Sequence, residues 1–95
     1  MTSFCSFVRS WAAELAPIGA RVNLVGPGPT DTPLVGGIDA RGGGPGLDAL
    51  IRARGAIHRR GRVEEIAAAV RFLSSPESSW TTGAALFVGG GVTYL

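Results

Sequence analysis

At 95 residues and 9.7 kDa the chain is one domain at most, or a piece of one. A content of 45% hydrophobic and 17% charged residues excludes a disordered tail, the apolar runs are too short to cross a bilayer, and the single cysteine, Cys5, excludes a disulfide framework and a thiolate zinc cluster. Nine basic residues against seven acidic give a net charge of +2, and every basic one is arginine, so a Walker P-loop, a Schiff-base enzyme and a lysine-assisted general acid are excluded as well.

These figures describe a small soluble fold of the reducing cytoplasm. The 15 glycines and 6 prolines leave few residues for regular elements, and a chain this short already struggles to bury a self-sufficient core. An arginine-only basic set fits phosphate or nucleic-acid contact, because the guanidinium fork grips phosphate in bidentate fashion, but it fits a GC-rich coding bias better. The N-terminus is not a secretory signal, since Arg9 and Glu14 interrupt its apolar residues.

Those apolar residues fall at helical spacing instead. Phe4, Phe7, Val8, Trp11, Ala12 and Leu15 form the stripe of an amphipathic helix over Thr2 to Ala16, which Pro17 and Gly19 end. A stripe of this kind is normally core and needs a large apolar partner surface. Arg21 to Val25 is a short β-favouring run, bounded by Gly19 and by Gly26-Pro27-Gly28-Pro29, and it fits a buried parallel strand. A helix, a glycine-marked turn and a strand make half of an α/β repeat, and ligands in such sheets sit beyond the carboxyl ends of the strands. The stretch Gly-Pro-Gly-Pro-Thr-Asp-Thr-Pro after this strand is therefore where a site is expected.

Gly36 to Gly46 holds six glycines and a proline and is expected to be mobile, with Leu47, Leu50 and Ile51 hinting at a short helix. Glu64 to Ser75 predicts a firmer helix, with Ile66, Ala69, Val70 and Leu73 on one face and the two glutamates in the first turn. Ala84 to Val88 reads as a second buried strand, closed by Gly89-Gly90-Gly91.

Several features read more plainly than they first look. The run Gly42-Gly43-Gly44-Pro45-Gly46 follows no strand, so it is read as a flexible linker and not as a phosphate cradle. His58 among Arg52, Arg54, Arg59, Arg60 and Arg62 has no second imidazole or thiolate for a metal and no interleaved aromatic for nucleic acid; a solvated, partly ion-paired loop is the reading. Cys5 is a small packing residue, and no serine sits in a Gly-x-Ser-x-Gly elbow. By residue type alone, nothing here assembles a catalytic constellation.

Taken in order, Ser6 to Ala16, Gly19 to Pro33 and Arg59 to Gly91 resemble the C-terminal portion of a short-chain dehydrogenase/reductase. The set Arg-Val-Asn, Pro-Gly with a threonine, Glu-Glu-Ile before Phe-Leu, and Thr-Gly before a strand and Gly-Gly carries the likeness. The resemblance implies the C-terminal part of a doubly wound parallel sheet, a partial Rossmann-like α/β fold with two strands and two to three helices. It makes residues 1–95 a single incomplete domain, with Leu34 to His58 as a variable, lid-like loop over the substrate. It implies NAD or NADP as cofactor, with Pro27, Gly28, Thr30 and Thr32 against the nicotinamide half: Gly28 for close backbone approach, Thr30 through backbone groups, Thr32 through its hydroxyl.

The departures from the family pattern carry as much weight. The glycine-rich fingerprint and the catalytic serine are absent, Met1 falls at the position of the catalytic lysine, and the position of the catalytic tyrosine lies before the chain begins; Tyr94 cannot substitute. Val63, His58 and Gly89 stand where the family usually has proline, glycine and aspartate. The proton donor that must act as the hydride moves is thus missing. The isolated chain is expected to be inactive, with negligible affinity for NAD(P)H. Whether the cause is a truncated gene, a misassigned start or an excerpt, the expected identity is a fragment of an NAD(P)-dependent oxidoreductase. The alternative is a non-catalytic assembly module, joining copies or other chains through helices 2–16 and 64–75. No membrane partner is expected, and an arginine-mediated nucleic-acid role is the least favoured reading. Leaving the Phe4/Phe7/Trp11/Leu15 stripe wet forfeits about 1.5–3 kcal/mol for each side chain. An isolated chain is therefore expected to be molten, self-associating or dependent on a partner.

Overall fold

The computed structural model describes residues 2–92, in the order α1 (Thr2–Leu15), β1 (Leu24–Pro27), α2 (Pro33–Ala40), α3 (Gly44–Arg54), α4 (Val63–Leu73) and β2 (Ala85–Val88), with 3-10 turns at Ala16–Ile18 and Pro76–Ser78. Met1 and Tyr94, weighed above as stand-ins for catalytic residues, lie outside the described residues. The strands are hydrogen-bonded neighbours. The Leu24 N–H donates to the Ala84 carbonyl (2.8 Å) and the Gly28 N–H to the Val88 carbonyl (3.0 Å), one constant register and so a parallel pair. None of the described helices is long and apolar enough to cross a membrane.

The described residues form two compact units, one from residues 2–26 and 68–87, the other from 27–67 and 88–92. In the first, α1 ends where expected, through Pro17 and a left-handed Gly19 whose N–H bonds the Ala16 carbonyl. Of its apolar stripe only Val8 and Ala12 are buried, while Phe4 (59%), Phe7 (59%) and Trp11 (55%) remain largely exposed, the last two in tilted ring contact at 6.3 Å. The stripe as a whole is therefore not core. Small residues pack inward, Ala12 close to Gly83, and the aromatics project past the surface available to cover them.

The first strand begins three residues later than its sequence pattern suggests. Side chains occupy the earlier positions: Asn23 donates to the Thr81 carbonyl (3.1 Å) and accepts from the Ala84 N–H (3.0 Å), and the Val22 N–H donates to Thr82 Oγ1 (3.1 Å). Arg21 donates to the carbonyl of Leu73 (3.0 Å), which the end of α4 leaves without a helical partner, and to those of Ser75 (3.4 Å) and Thr81 (3.0 Å) beyond the helix.

In the second unit, the segment expected as a loop is mostly helical. The glycine run read as a linker instead opens α3 at Gly44, because Pro45 suits a first helical turn and Ile51, 1% exposed, anchors the helix from within. The short helix hinted at by Leu47, Leu50 and Ile51 is this element. At the start of α4 the Glu65 N–H donates to the Arg62 carbonyl (2.9 Å) and the Glu65 carboxylate accepts from the Arg62 N–H (2.9 Å), the latter being the glutamate half of a capping box.

Candidate functional site

The chain leaves β1 through Pro27, Gly28 and Pro29 into a turn closed by Thr30, whose hydroxyl donates to the Gly28 carbonyl at 2.8 Å. Thr30 is buried and forms an isolated parallel bridge with Gly61: the Gly61 N–H donates to the Pro29 carbonyl (2.9 Å) and the Asp31 N–H to the Gly61 carbonyl (2.9 Å). Thr32 then starts α2, its carbonyl accepting from the Gly36 N–H (2.9 Å), with Pro33 at the first helical position. Each step follows from residue type: two prolines deny the ladder further donors, glycine permits the turn, and a threonine hydroxyl satisfies the carbonyl left behind.

Gly28 has a second reason to be glycine. A Cβ there would stand 2.5 Å from the Gly89 Cα, so the backbones at the ends of the two strands touch. Gly89, noted as a departure from the family's aspartate, is the other half of this contact, with its own Cβ position 3.1 Å from the Gly28 Cα. The resemblance assigned Gly28 a close approach to the nicotinamide; the contact seen here is a different one, with a glycine far along the chain that the sequence did not point to.

Beyond the strand end is a cavity of about 510 Å³. Pro27, Gly28, Pro29, Thr30 and Thr32 line one side, and Val63, Ile66 and Ala67 of α4 line the other. All four residues singled out in the sequence thus meet in one cavity. The α4 wall was not foreseen as part of it, although Ile66 lay on the helix's apolar face. The volume lies within the usual range for small-molecule sites, and a mostly apolar cleft with hydroxyls at one edge suits a flat ring bearing a polar substituent. The Thr30 hydroxyl, engaged as a donor, keeps acceptor capacity.

Beside the site, two neighbouring arginines are engaged differently. Arg59 makes a two-point pair with Glu65 (2.8 and 3.0 Å). That guanidinium, with the Arg62 backbone N–H, holds the Glu65 carboxyl down at about 2. Arg60 turns the other way, to Asp39 and Asp48. His58 is exposed, consistent with a solvated loop position.

Parallel strands joined through helices, with a cavity at the carboxyl end of the first strand, define an α/β protein of the doubly wound, Rossmann-like class. Residues 2–93 match the family model described as Enoyl-(Acyl carrier protein) reductase. The cis-4-hydroxycyclohexanecarboxylate dehydrogenase of Sinomonas cyclohexanicum is 44% identical over 88 residues, covering 93% of this chain and 33% of that protein. Among solved structures, a 3-oxoacyl-(acyl-carrier protein) reductase from Brucella melitensis superposes with a TM-score of 0.84 at 33% identity, over 99% of this chain and 33% of its own. An NADPH-bound short chain oxidoreductase from Pseudomonas aeruginosa superposes with a TM-score of 0.82 at 32% identity, over 99% and 37%. The chain belongs to the short-chain dehydrogenase/reductase family of oxidoreductases, as the sequence resemblance implied. It spans about a third of the length of the curated relatives it matches.

Proposed function

We propose that this chain supplies the nicotinamide-side wall of an NAD(P)-dependent oxidoreductase, with residues 33–54 as its lid, and that the 95 residues alone do not turn over substrate. The observation that carries this reading is the convergence of Pro27, Gly28, Thr30 and Thr32 on one cavity at the carboxyl end of β1. When bound, the nicotinamide group supplies a hydride acceptor or donor. The residues here position it: the Pro27–Thr30 turn and Ile66 present apolar surface to a ring and keep water from its face, while Thr32 offers a hydroxyl to its carboxamide. Proton transfer has no candidate group in this wall, since the sequence holds no lysine and its one tyrosine is Tyr94. Nor, among the described residues, is there a Gly-x-Gly-x-x-Gly turn between a strand and a helix to hold a diphosphate.

The test pairs loss with gain. Titrated with NADH or NADPH, the 95-residue chain is expected to show no saturable binding and no oxidation with ketone substrates. Grafted in place of the matching segment of the Brucella reductase, residues 2–93 are expected to restore turnover. In that graft Thr32→Val should raise KM for the cofactor by roughly tenfold, the worth of one hydrogen bond to a polar substituent. Turnover by the 95 residues alone, or a graft whose cofactor KM ignores Thr32, overturns the reading.

A second reading, a non-catalytic assembly module, is favoured by one observation: Phe4, Phe7 and Trp11 stand exposed along one helix. Sedimentation of the purified chain tests it. A discrete oligomer abolished by Trp11→Ser supports it, and a monomer or a polydisperse aggregate overturns it.

A further inference from the structure

We propose that Arg60 is a positioning residue, an electrostatic latch that ties both lid helices to the floor of the candidate site, so that order in residues 33–54 depends on this one side chain and on ionic strength. Arg60 stands in the segment between α3 and α4. Its Nη1 and Nη2 donate to Asp39 Oδ2 and Oδ1, both at 2.7 Å, at the end of α2, and its Nε donates to Asp48 Oδ1 at 2.9 Å in α3. Asp31, in the turn after β1, has Oδ1 4.0 Å from Nη1. Three of the chain's seven acidic residues thus face one guanidinium, itself only 17% exposed. A planar fork shared between two helices differs from an isolated surface pair, whose effect is usually small, because it joins several charges in one network.

Two further observations support the latch. The backbone beside Arg60 is not free to follow the lid, because Gly61 is bridged to Pro29 and Asp31 on the site's floor. Gly44, the first residue of α3, is buried, and a Cβ there would collide with Asp39 Oδ1 and approach Arg60 Nη2, so the glycine leaves room for the pair. The lid helices also need such a tie. Over Pro33–Ala40 and Gly44–Arg54 they have 8 and 11 residues, too short to persist alone, and glycines at 36, 37, 44 and 46 weaken them further. The Asp39 carboxyl is held below its ordinary range by the Arg60 hydrogen bonds. Arg59 makes no ion pair with these three carboxylates: its guanidinium pairs with Glu65 on α4, and its one tie to Arg60 is to the backbone carbonyl (3.0 Å) and not to the latch side chain.

The inference rests on the reading of residues 33–54 as the lid of the proposed cofactor wall only for its consequence. Backbone exchange without cofactor tests it separately. In hydrogen–deuterium exchange of the whole 95-residue chain, Arg60→Gln is expected to speed exchange in 36–54 by about tenfold relative to residues 5–15. Arg59→Gln should leave 36–54 within about twofold of the parent chain. Raising sodium chloride from about 0.05 M to about 1 M should reproduce a good part of the Arg60→Gln effect in the parent chain. Arg60→Lys, which keeps the charge and loses the fork, should recover protection only in part. Should Arg60→Gln not fold, Asp39→Asn, Asp48→Asn and the salt series on the parent chain carry the test. Unchanged exchange in 36–54, parent amides there already at the unprotected rate in low salt, or equal loosening of 5–15 overturns the latch.

Discussion

Helix α1 and the helix pair α2 and α3 make their contacts by different means. Helix α1 runs 14 residues, many of them serine, threonine and aromatic residues of only moderate helix propensity, and has more apolar surface than it buries, so Phe4, Phe7 and Trp11 remain exposed while Val8 and Ala12 do the packing. Helices α2 and α3 are shorter and richer in glycine, and they carry one buried isoleucine and a guanidinium shared between two carboxylates. In the first region apolar periodicity marks the helix and leaves its aromatics exposed. In the second, a few long-range contacts take the place of such a stripe.

The largest effect that would break this contrast belongs to Ile51. Ile51→Ala is expected to cost about 2–5 kcal/mol in urea unfolding, because it opens a cavity under α3, whereas Trp11→Ala on the exposed face of α1 should change unfolding little. Equal losses would mean that α1 depends on its aromatics after all. Gly28→Ala comes next, at about 1–3 kcal/mol, since backbone atoms of Gly89 cannot move aside as a flexible side chain would. Gly36→Ala is the control: it meets nothing within 4 Å and should hold or slightly raise stability. Arg21→Gln removes donors from the Leu73, Ser75 and Thr81 carbonyls, with an expected loss of about 1.5–3 kcal/mol by the same assay.

The smallest expected effect is one of acidity. Glu65 has its carboxyl lowered from 4.5 to about 2 by Arg59 and by the Arg62 N–H. A group with a depressed folded value stabilises fully above its unfolded value and loses that contribution as the pH falls through its folded one. Its help to the start of α4 should therefore fade between about pH 4.5 and about 2. A carbon-detected NMR titration of Glu65 checks this, and Arg59→Gln should move the midpoint upward.

Much of the frame was legible before any coordinates. The periodicity of Phe4 to Leu15 marked α1 to within a residue, Ile66 to Leu73 marked α4, and the two β-favouring runs marked a parallel pair. The turn from Pro27 to Thr32 was recognisable by its prolines, glycine and threonines, and those residues do share a cavity. The start of β1 was misplaced because Asn23 imitates backbone pairing with its side-chain amide, a substitution that no local pattern reveals. Residues 34–58 read as a loop because six glycines and a proline between 36 and 46 argue against helix locally. The contacts that Arg60 makes to α2 and α3 come from beyond that segment's own pattern.

The amino-acid order alone determined the elements whose cause is local: a helix follows from apolar residues every third or fourth position, and a turn from residues that cannot continue a ladder. Tertiary structure alone decided which glycine backs onto which, where Arg21 and Arg60 direct their donors, and which members of the apolar stripe are covered. Those outcomes depend on atoms brought together from distant positions, and steric exclusion and charge pairing act on distance in space, which residue spacing along the chain does not encode.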